Sequence, residues 1–482
     1  MRTKLLALLL VVLAPACVLL DLFPEGDGQG TGASGGTGTG GAGTGGETTA
    51  TASSSAGGGQ PGVAVEAVFG ASPETGVTSL RFLDVAVSGE QVAVVGHMLN
   101  SGGVVSIGLG PSCSTTTNVQ NGFFVARFGL DGSCQTVHFY DAAELGTSVT
   151  GSITFLGTDV AATDVVVALS GANRSRVSRI DPAGTETPSS EMSVGGVVVT
   201  DLVACGLDVL AGGAISAPSP GNCFPNQFFA QDTDAWVAQL AGGTSCFPDA
   251  LEHSETSGFE QRVVSVACDG DRRGVVTQTL GDMTVGSTPV DADSSAAFFQ
   301  AIGGRPELVV LGDYTCDSSN AAPRLLLDAD GDWMFGADCS EPRVWFRPPF
   351  TQWSTVNPVS PKPNVFDRPS IAVGPGFLFF GGEYASSRGG APWPSAVRTG
   401  VLGAVDGNGG VVFTFDVVGS GMGEDIEVMA VATSPTPHTT GWAVGNYSSH
   451  SVTVDTKTFE DNLVDCGQDA LCKPFLAKVK LQ

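Results

Sequence analysis

Short apolar runs recur along this chain in a fixed order, and each recurrence closes on a tight turn. FVARF at Phe124–Phe128 leads into Asp131-Gly132. RVSRI at Arg176–Ile180 leads into the turn from Asp181 to Gly184, and VLGAV at Val401–Val405 into the turn from Asp406 to Gly409. WVAQL (Trp236–Leu240), RLLL (Arg324–Leu327) and FLAKV (Phe475–Val479) echo the same run. Ahead of these runs stand hairpin-like segments: 83–98, 159–171, 202–215, 265–281, 299–315, 371–385 and 428–448. A further apolar run follows the turn, as in TVHFY (Thr136–Tyr140) or VVFTF (Val411–Phe415). Runs of this length, rich in β-branched and aromatic residues and bounded by Gly, Asp, Asn and Ser, are strands, and almost no helical period competes with them. The expected fold class is all-β, in units of four strands with a hairpin first.

The ends of the repeat region constrain the architecture further. FLAKVKLQ closes the chain as a third strand with no fourth behind it, and VAVEAVFG (Val63–Gly70) opens the region as a fourth strand with no first three. Strands from the two ends would complete one unit together. A ring closed in this way removes exposed sheet edges, which is how a β-propeller solves its edge problem. The prediction is a β-propeller of four-stranded antiparallel blades, seven with six as the alternative, closed by the N- and C-terminal strands. Residues 63–482 divided over seven units leave about 60 residues each, enough for a four-stranded blade. The stretch from Ser265 to Phe299 is short and predicts a truncated fourth unit.

FVARFGLDG, IAVGPG and FLFFGG resemble the bacterial SBBP-type seven-bladed β-propeller repeat, over most of residues 62–482. The resemblance implies a secreted or surface propeller and brings no catalytic residues with it.

The N-terminus reads as an address. Arg2 and Lys4 precede the apolar stretch Leu5–Leu13, which is too short for a membrane span of about 20 residues and fits a signal peptide over residues 1–16. Ala16-Cys17 fits a bacterial lipobox, with Cys17 as the lipidated residue; ordinary secretion after Ala14-Pro15-Ala16 is the alternative. Residues 17–62 are Gly, Thr, Ser and Ala with almost no apolar side chain, a flexible tether in composition. The expected location is the bacterial cell envelope, as an outer-membrane or surface lipoprotein, or else the medium.

Eleven cysteines occur, and removing Cys17 leaves an even set suited to an exported protein. Cys113 and Cys134, Cys223 and Cys246, and Cys316 and Cys339 each flank a predicted third strand at separations of 21, 23 and 23 positions. Three homologous bridges are expected, each contributing about 3 kcal/mol. Cys205 and Cys268 hold equivalent first-strand positions in neighbouring units and either bridge them or stay as buried thiols. Cys466 and Cys472 would close a short local loop.

The composition narrows the chemistry. Lys and Arg total 22 against 49 Asp and Glu, a formal charge of −27, so nucleic acid is excluded as a partner and membrane contact falls to the lipid alone. The five histidines form no metal-ligand spacing, and no catalytic residue stands out. No cofactor is expected. Asp328, Asp330 and Asp332 would offer oxygens to Ca²⁺, but they lie where the repeat places its Asp/Gly turn and lack the Glu of an EF-hand loop. A Pro-rich segment after Cys339 carries Arg343, Trp345, Arg347 and Trp353, and a second loop adds Trp393. Aromatic plates beside guanidinium groups stack on sugars or peptides and bind carboxylates; the bland reading is a hydrophobic lid. The chain is thus expected to be a monomeric, non-enzymatic binding or scaffold module for a protein or polysaccharide. The alternatives are a glycan-directed extracellular hydrolase with its site in the propeller channel, or a purely structural envelope protein.

Overall fold

Alternating apolar and small residues between Gly and Asp turns form strands throughout. The computed structural model describes residues 63–481 apart from 74–76, 90, 110–112, 157–163, 173, 190–191, 193–194, 217–232, 244, 249–260, 270–271, 280–282, 286–287, 291–293, 302–306, 314–323, 329–330, 339–340, 348–353, 357–365, 387–396, 409, 421–424, 435–437 and 461–471. Among the described residues a single 3-10 turn, Ala143–Leu145, interrupts an otherwise all-β chain. The protein is a β-propeller built of four-stranded antiparallel blades.

Seven sheets of four or more strands are present among the described residues. Sheet one holds Val77–Ser88, Gln91–Asn100, Asn121–Gly129 and Cys134–Asp141, in that spatial order. Sheet two holds Thr150–Phe155, Val165–Ser170, Ser175–Ile180 and Glu186–Pro188. Sheet three holds Val197–Cys205, Asp208–Ile215, Asp234–Ala241 and Ser245–Pro248, and sheet four Gln261–Cys268, Arg272–Thr279, Ser294–Ala301 and Glu307–Asp313. Sheet five holds Arg324–Asp328, Gly331–Asp338, Glu341–Arg347 and Ser354–Val356, and sheet six begins Phe366–Val373, Phe377–Ser386, Val397–Asp406, Val411–Gly419. Sheet seven begins Ile426–Thr433, Thr440–Tyr447, Lys473–Leu481, and its fourth strand is Val63–Pro73 from the other end of the chain. The pairing is antiparallel, with Val63 opposite Leu481 and Gly70 opposite Phe475. The first strand of each sheet packs on the first strand of the next, and that of sheet seven packs on that of sheet one.

Two predicted hairpins are placed differently. Residues 299–315 do not open a unit: Ser294–Ala301 and Glu307–Asp313 are the third and fourth strands of sheet four, which is therefore not truncated. RLLL then falls on the first strand of sheet five, not on a third strand. In sheet two the hairpin joins Thr150–Phe155 to Val165–Ser170, displacing the predicted 159–171. The first error has a physical cause: a hairpin between strands one and two and a hairpin between strands three and four carry the same signal, two apolar runs around a Gly turn. The Asp/Gly turns fall as expected between third and fourth strands in sheets one, two and six. Asp131 accepts hydrogen bonds from the Ser133 backbone N–H (2.9 Å) and hydroxyl (2.6 Å), and Asp406 accepts from the N–H groups of Asn408 and Gly410. Those bonds hold the Asp131 carboxyl below the usual carboxylate range.

The core lies between the sheets. Phe82, Val94 and Phe124 of sheet one pack against Trp442, Val444 and Leu476 of sheet seven in one buried cluster. Burying each such large side chain contributes roughly 2–3 kcal/mol. Two disulfides are described, Cys113–Cys134 and Cys205–Cys268. The second joins the ends of the first strands of sheets three and four, so these cysteines are not free thiols.

Candidate functional site

Six first strands contribute to a belt of polar side chains. Asp84, on the first strand of sheet one, follows a bulge between Phe82 and Asp84. Its carboxylate accepts the N–H of Val85 on its own strand (2.8 Å). From sheet two it accepts the N–H of Ile153 (2.8 Å) and the hydroxyl of Ser152 (3.1 Å). Asp201, after the matching bulge in sheet three, repeats the arrangement toward sheet four, accepting Ser265 Oγ and the Val266 N–H, both at 3.0 Å. Ser152 also reaches Asp201 at 3.5 Å, so one hydroxyl stands between the two carboxylates. Ser265 accepts the N–H of Leu325 from sheet five (3.1 Å). Beside it the Arg324 guanidinium lies 3.3 Å from Asp201 and donates to the Val264 carbonyl. Ser370 continues the pattern from sheet six, accepting the N–H of Val431 in sheet seven.

The electrostatics of the belt centre on Asp84. Desolvation pushes its pKa up to about 7; the two backbone N–H donors oppose this, the neighbouring Asp201 charge adds to it and Arg324 lowers it. Asp84 keeps part of its surface accessible, yet protein atoms surround its carboxyl closely enough for burial to dominate. A second polar group joins sheets seven and one. Asn446 exchanges two hydrogen bonds with the Phe82 backbone, donates to Glu427, and Glu427 pairs with Arg81 at 2.6 Å. His97, opposite Arg81 in the ladder, is buried and bonded through Nε2 to Asn121 (2.8 Å). Burial and the Arg81 charge press its pKa down, which keeps the ring neutral and structural.

Sequence patterns did not single out the belt, although a signal exists. In the first four sheets a Ser or Asp stands five residues before a Gly: Asp84 before Gly89, Ser152 before Gly157, Asp201 before Gly206, Ser265 before Gly270. Of the residues picked out as a ligand platform, Trp345 is buried in a cluster that joins Leu325, Leu327 and Met334 of sheet five to Val264, Ala267 and Val276 of sheet four. The side chains of Arg343, Arg347, Trp353 and Trp393 lie outside the described residues, as do Cys17 and the side chains of Cys223, Cys246, Cys316, Cys339 and Cys466. Cys472 is disulfide-bonded. With the corrected strands, Cys316 precedes the first strand of sheet five and Cys339 follows its second, so this pair does not occupy the position of Cys113 and Cys134. Asp330 and the Asp328 side chain lie outside the described residues, and Asp332 is buried 3.0 Å from Arg272. No group of three or more metal-ligating side chains occurs among the described residues.

No family model and no curated protein matches this chain. Among solved structures it is similar to a catalytically inactive variant of the virginiamycin B lyase from Staphylococcus aureus, at 11% identity and a TM-score of 0.42, over 86% of this chain and 100% of that one. It is also similar to the acylaminoacyl peptidase of Pyrococcus horikoshii, at 10% identity and a TM-score of 0.41, over 80% of this chain and 53% of that one. The β-propeller domain of the trilobed protease from Pyrococcus furiosus is similar at 9% identity and a TM-score of 0.31, over 71% and 94%. Against the peptidase, then, the chain spans about half of the neighbour's length.

Proposed function

We propose that this protein is a lipid-anchored envelope propeller of the SBBP-repeat kind, with seven blades closed by its terminal strands, that binds a protein or polysaccharide without transforming it. Cys17 carries the lipid, residues 17–62 are the tether, and the propeller presents the ligand surface. One observation carries the non-enzymatic half of this reading. The ionisable groups that converge where the first strands meet are already engaged with neighbouring blades: Asp84 and Asp201 each accept several protein hydrogen bonds, and Arg324 is paired. A hydrolytic site needs a carboxyl free to exchange a proton with substrate.

A hydrolase is the second reading, favoured by the raised pKa of Asp84, which would suit proton transfer near neutral pH. The two separate in one experiment. The purified full-length protein is incubated with envelope polysaccharides, and both saturable binding and release of new reducing ends are measured. Binding with no new ends supports the module. New ends that disappear in Asp84→Asn, in a variant that still melts cooperatively, would replace it with the hydrolase.

A further inference from the structure

The N-terminal strand Val63–Pro73 is gripped by two partners in succession. Its first part, Val63–Gly70, pairs with Lys473–Leu481. Its last residues, Ala71–Pro73, pair instead with Val105–Leu109, Ala71 opposite Leu109 and Pro73 opposite Ile107. Val105–Leu109 is the first arm of a hairpin whose second arm is Cys113–Thr117. In sequence this hairpin is an insertion between the second and third strands of sheet one, yet it adds two strands to the outer side of sheet seven. Cys113, at the start of its second arm, is bonded to Cys134, the first residue of the outermost strand of sheet one. The hairpin thus reaches from one sheet over the closing strand of its neighbour, and a covalent bond ties it back.

Side chains close the grip. Phe69 packs against the cluster that contains both cysteines and Phe128. Its ring lies over Gly132, where an added Cβ would come within 2.8 Å. On the other flank Phe459 lies over Gly70, where a Cβ would meet it at 2.0 Å. Phe459 belongs to a second inserted hairpin, Ser451–Val454 and Lys457–Glu460, which extends sheet six. An isolated hairpin with arms this short is marginal in water. The first hairpin is held by its pairing with Ala71–Pro73, by hydrogen bonds from Asn100 across its base, and covalently by its bridge to sheet one.

We propose that the Cys113–Cys134 bridge and its hairpin form a redox-sensitive clasp over the closing strand: oxidised, it retains Val63–Pro73 in sheet seven; reduced, it lets that strand exchange with solvent while the rest of the propeller stays folded. Opening takes two electrons from a dithiol. The S–S bond breaks, each sulfur gains a proton, and the dithiol leaves as its own disulfide. Cys205–Cys268 lies between sheets three and four, away from the closing strand, and serves as the internal control.

Amide hydrogen exchange on the full-length protein tests the clasp. In a Cys113→Ser/Cys134→Ser variant, and in native protein reduced with dithiothreitol, amides of residues 63–73 should exchange at least tenfold faster, while Val92–Val95 in sheet one keep their protection. A Cys205→Ser/Cys268→Ser variant should leave residues 63–73 unchanged. Unaltered protection of 63–73 in the first variant would overturn the proposal. So would equal loss of protection at Val92–Val95, or the same acceleration of 63–73 in the control variant. A Cys113–Cys134 bridge that dithiothreitol leaves intact under native conditions would overturn its redox part.

Discussion

Asp84 is a carboxyl that the surrounding protein prefers to keep protonated, and this fixes the sign of its effect on stability. Its folded pKa of about 7 lies above the ordinary 3.8, so between those values the folded state holds a proton that the unfolded chain has released. Stability contributed by this group is then greatest at the acidic end of that window and declines as pH rises through 7. The melting temperature should fall by a few degrees between pH 5 and pH 8, and Asp84→Asn should flatten that slope; a flat profile in the native protein would refute the assignment. Asp201 differs in having a guanidinium beside it. Asp201→Ala strands the Ser265 hydroxyl and the Val266 N–H and removes the carboxylate beside Arg324, so it should cost about 2–4 kcal/mol in urea unfolding.

At the scale of single elements, the first two strands of sheets one, three and seven are fitted to one another by a bulge and a glycine. Phe82 and Val428 each stand just before a register shift, opposite Gly96 and Gly445. A Cβ on Gly96 would lie 2.5 Å from the Arg81 carbonyl, and one on Gly445 would lie 2.1 Å from that of Glu427. Gly96→Ala should therefore cost about 2 kcal/mol by forcing the hairpin apart, measurable as a shift in denaturation midpoint. The same pairing explains what was legible in advance. FVARF, RVSRI, WVAQL, VLGAV and FLAKV all become third strands, each an apolar run coupled to a turn or terminus, although RLLL ahead of Asp328–Gly331 has the same form and is a first strand. RLLL went astray because the strands ahead of it, Ser294–Ala301 and Glu307–Asp313, mimic an opening hairpin around their own glycines. The polar belt was hidden for another reason. Asp84, Ser152, Asp201 and Ser265 are read as ordinary turn or surface residues until the first strands are placed side by side. Trp345 misled in the opposite sense, since an aromatic beside arginines looks the same in sequence whether it faces a ligand or a core.

At the scale of the whole molecule, sheet seven is assembled from both ends of the folded region, and its integrity depends on a strand separated from its neighbours by the length of the propeller. Deleting residues 63–73 should expose Lys473–Leu481 as an open edge, and open edges seek partners. Sedimentation velocity should show dimers or larger species for that deletion and not for the intact protein. The pairing of Val63–Gly70 with Lys473–Leu481 also has a mechanical side. Ladder hydrogen bonds run across the strands, so tension entering ahead of Val63 along the strand axis loads the whole row of bonds in shear at once and cannot peel them singly. The strand through which the folded body is joined to everything before it is thus also the one best placed to resist being dragged away.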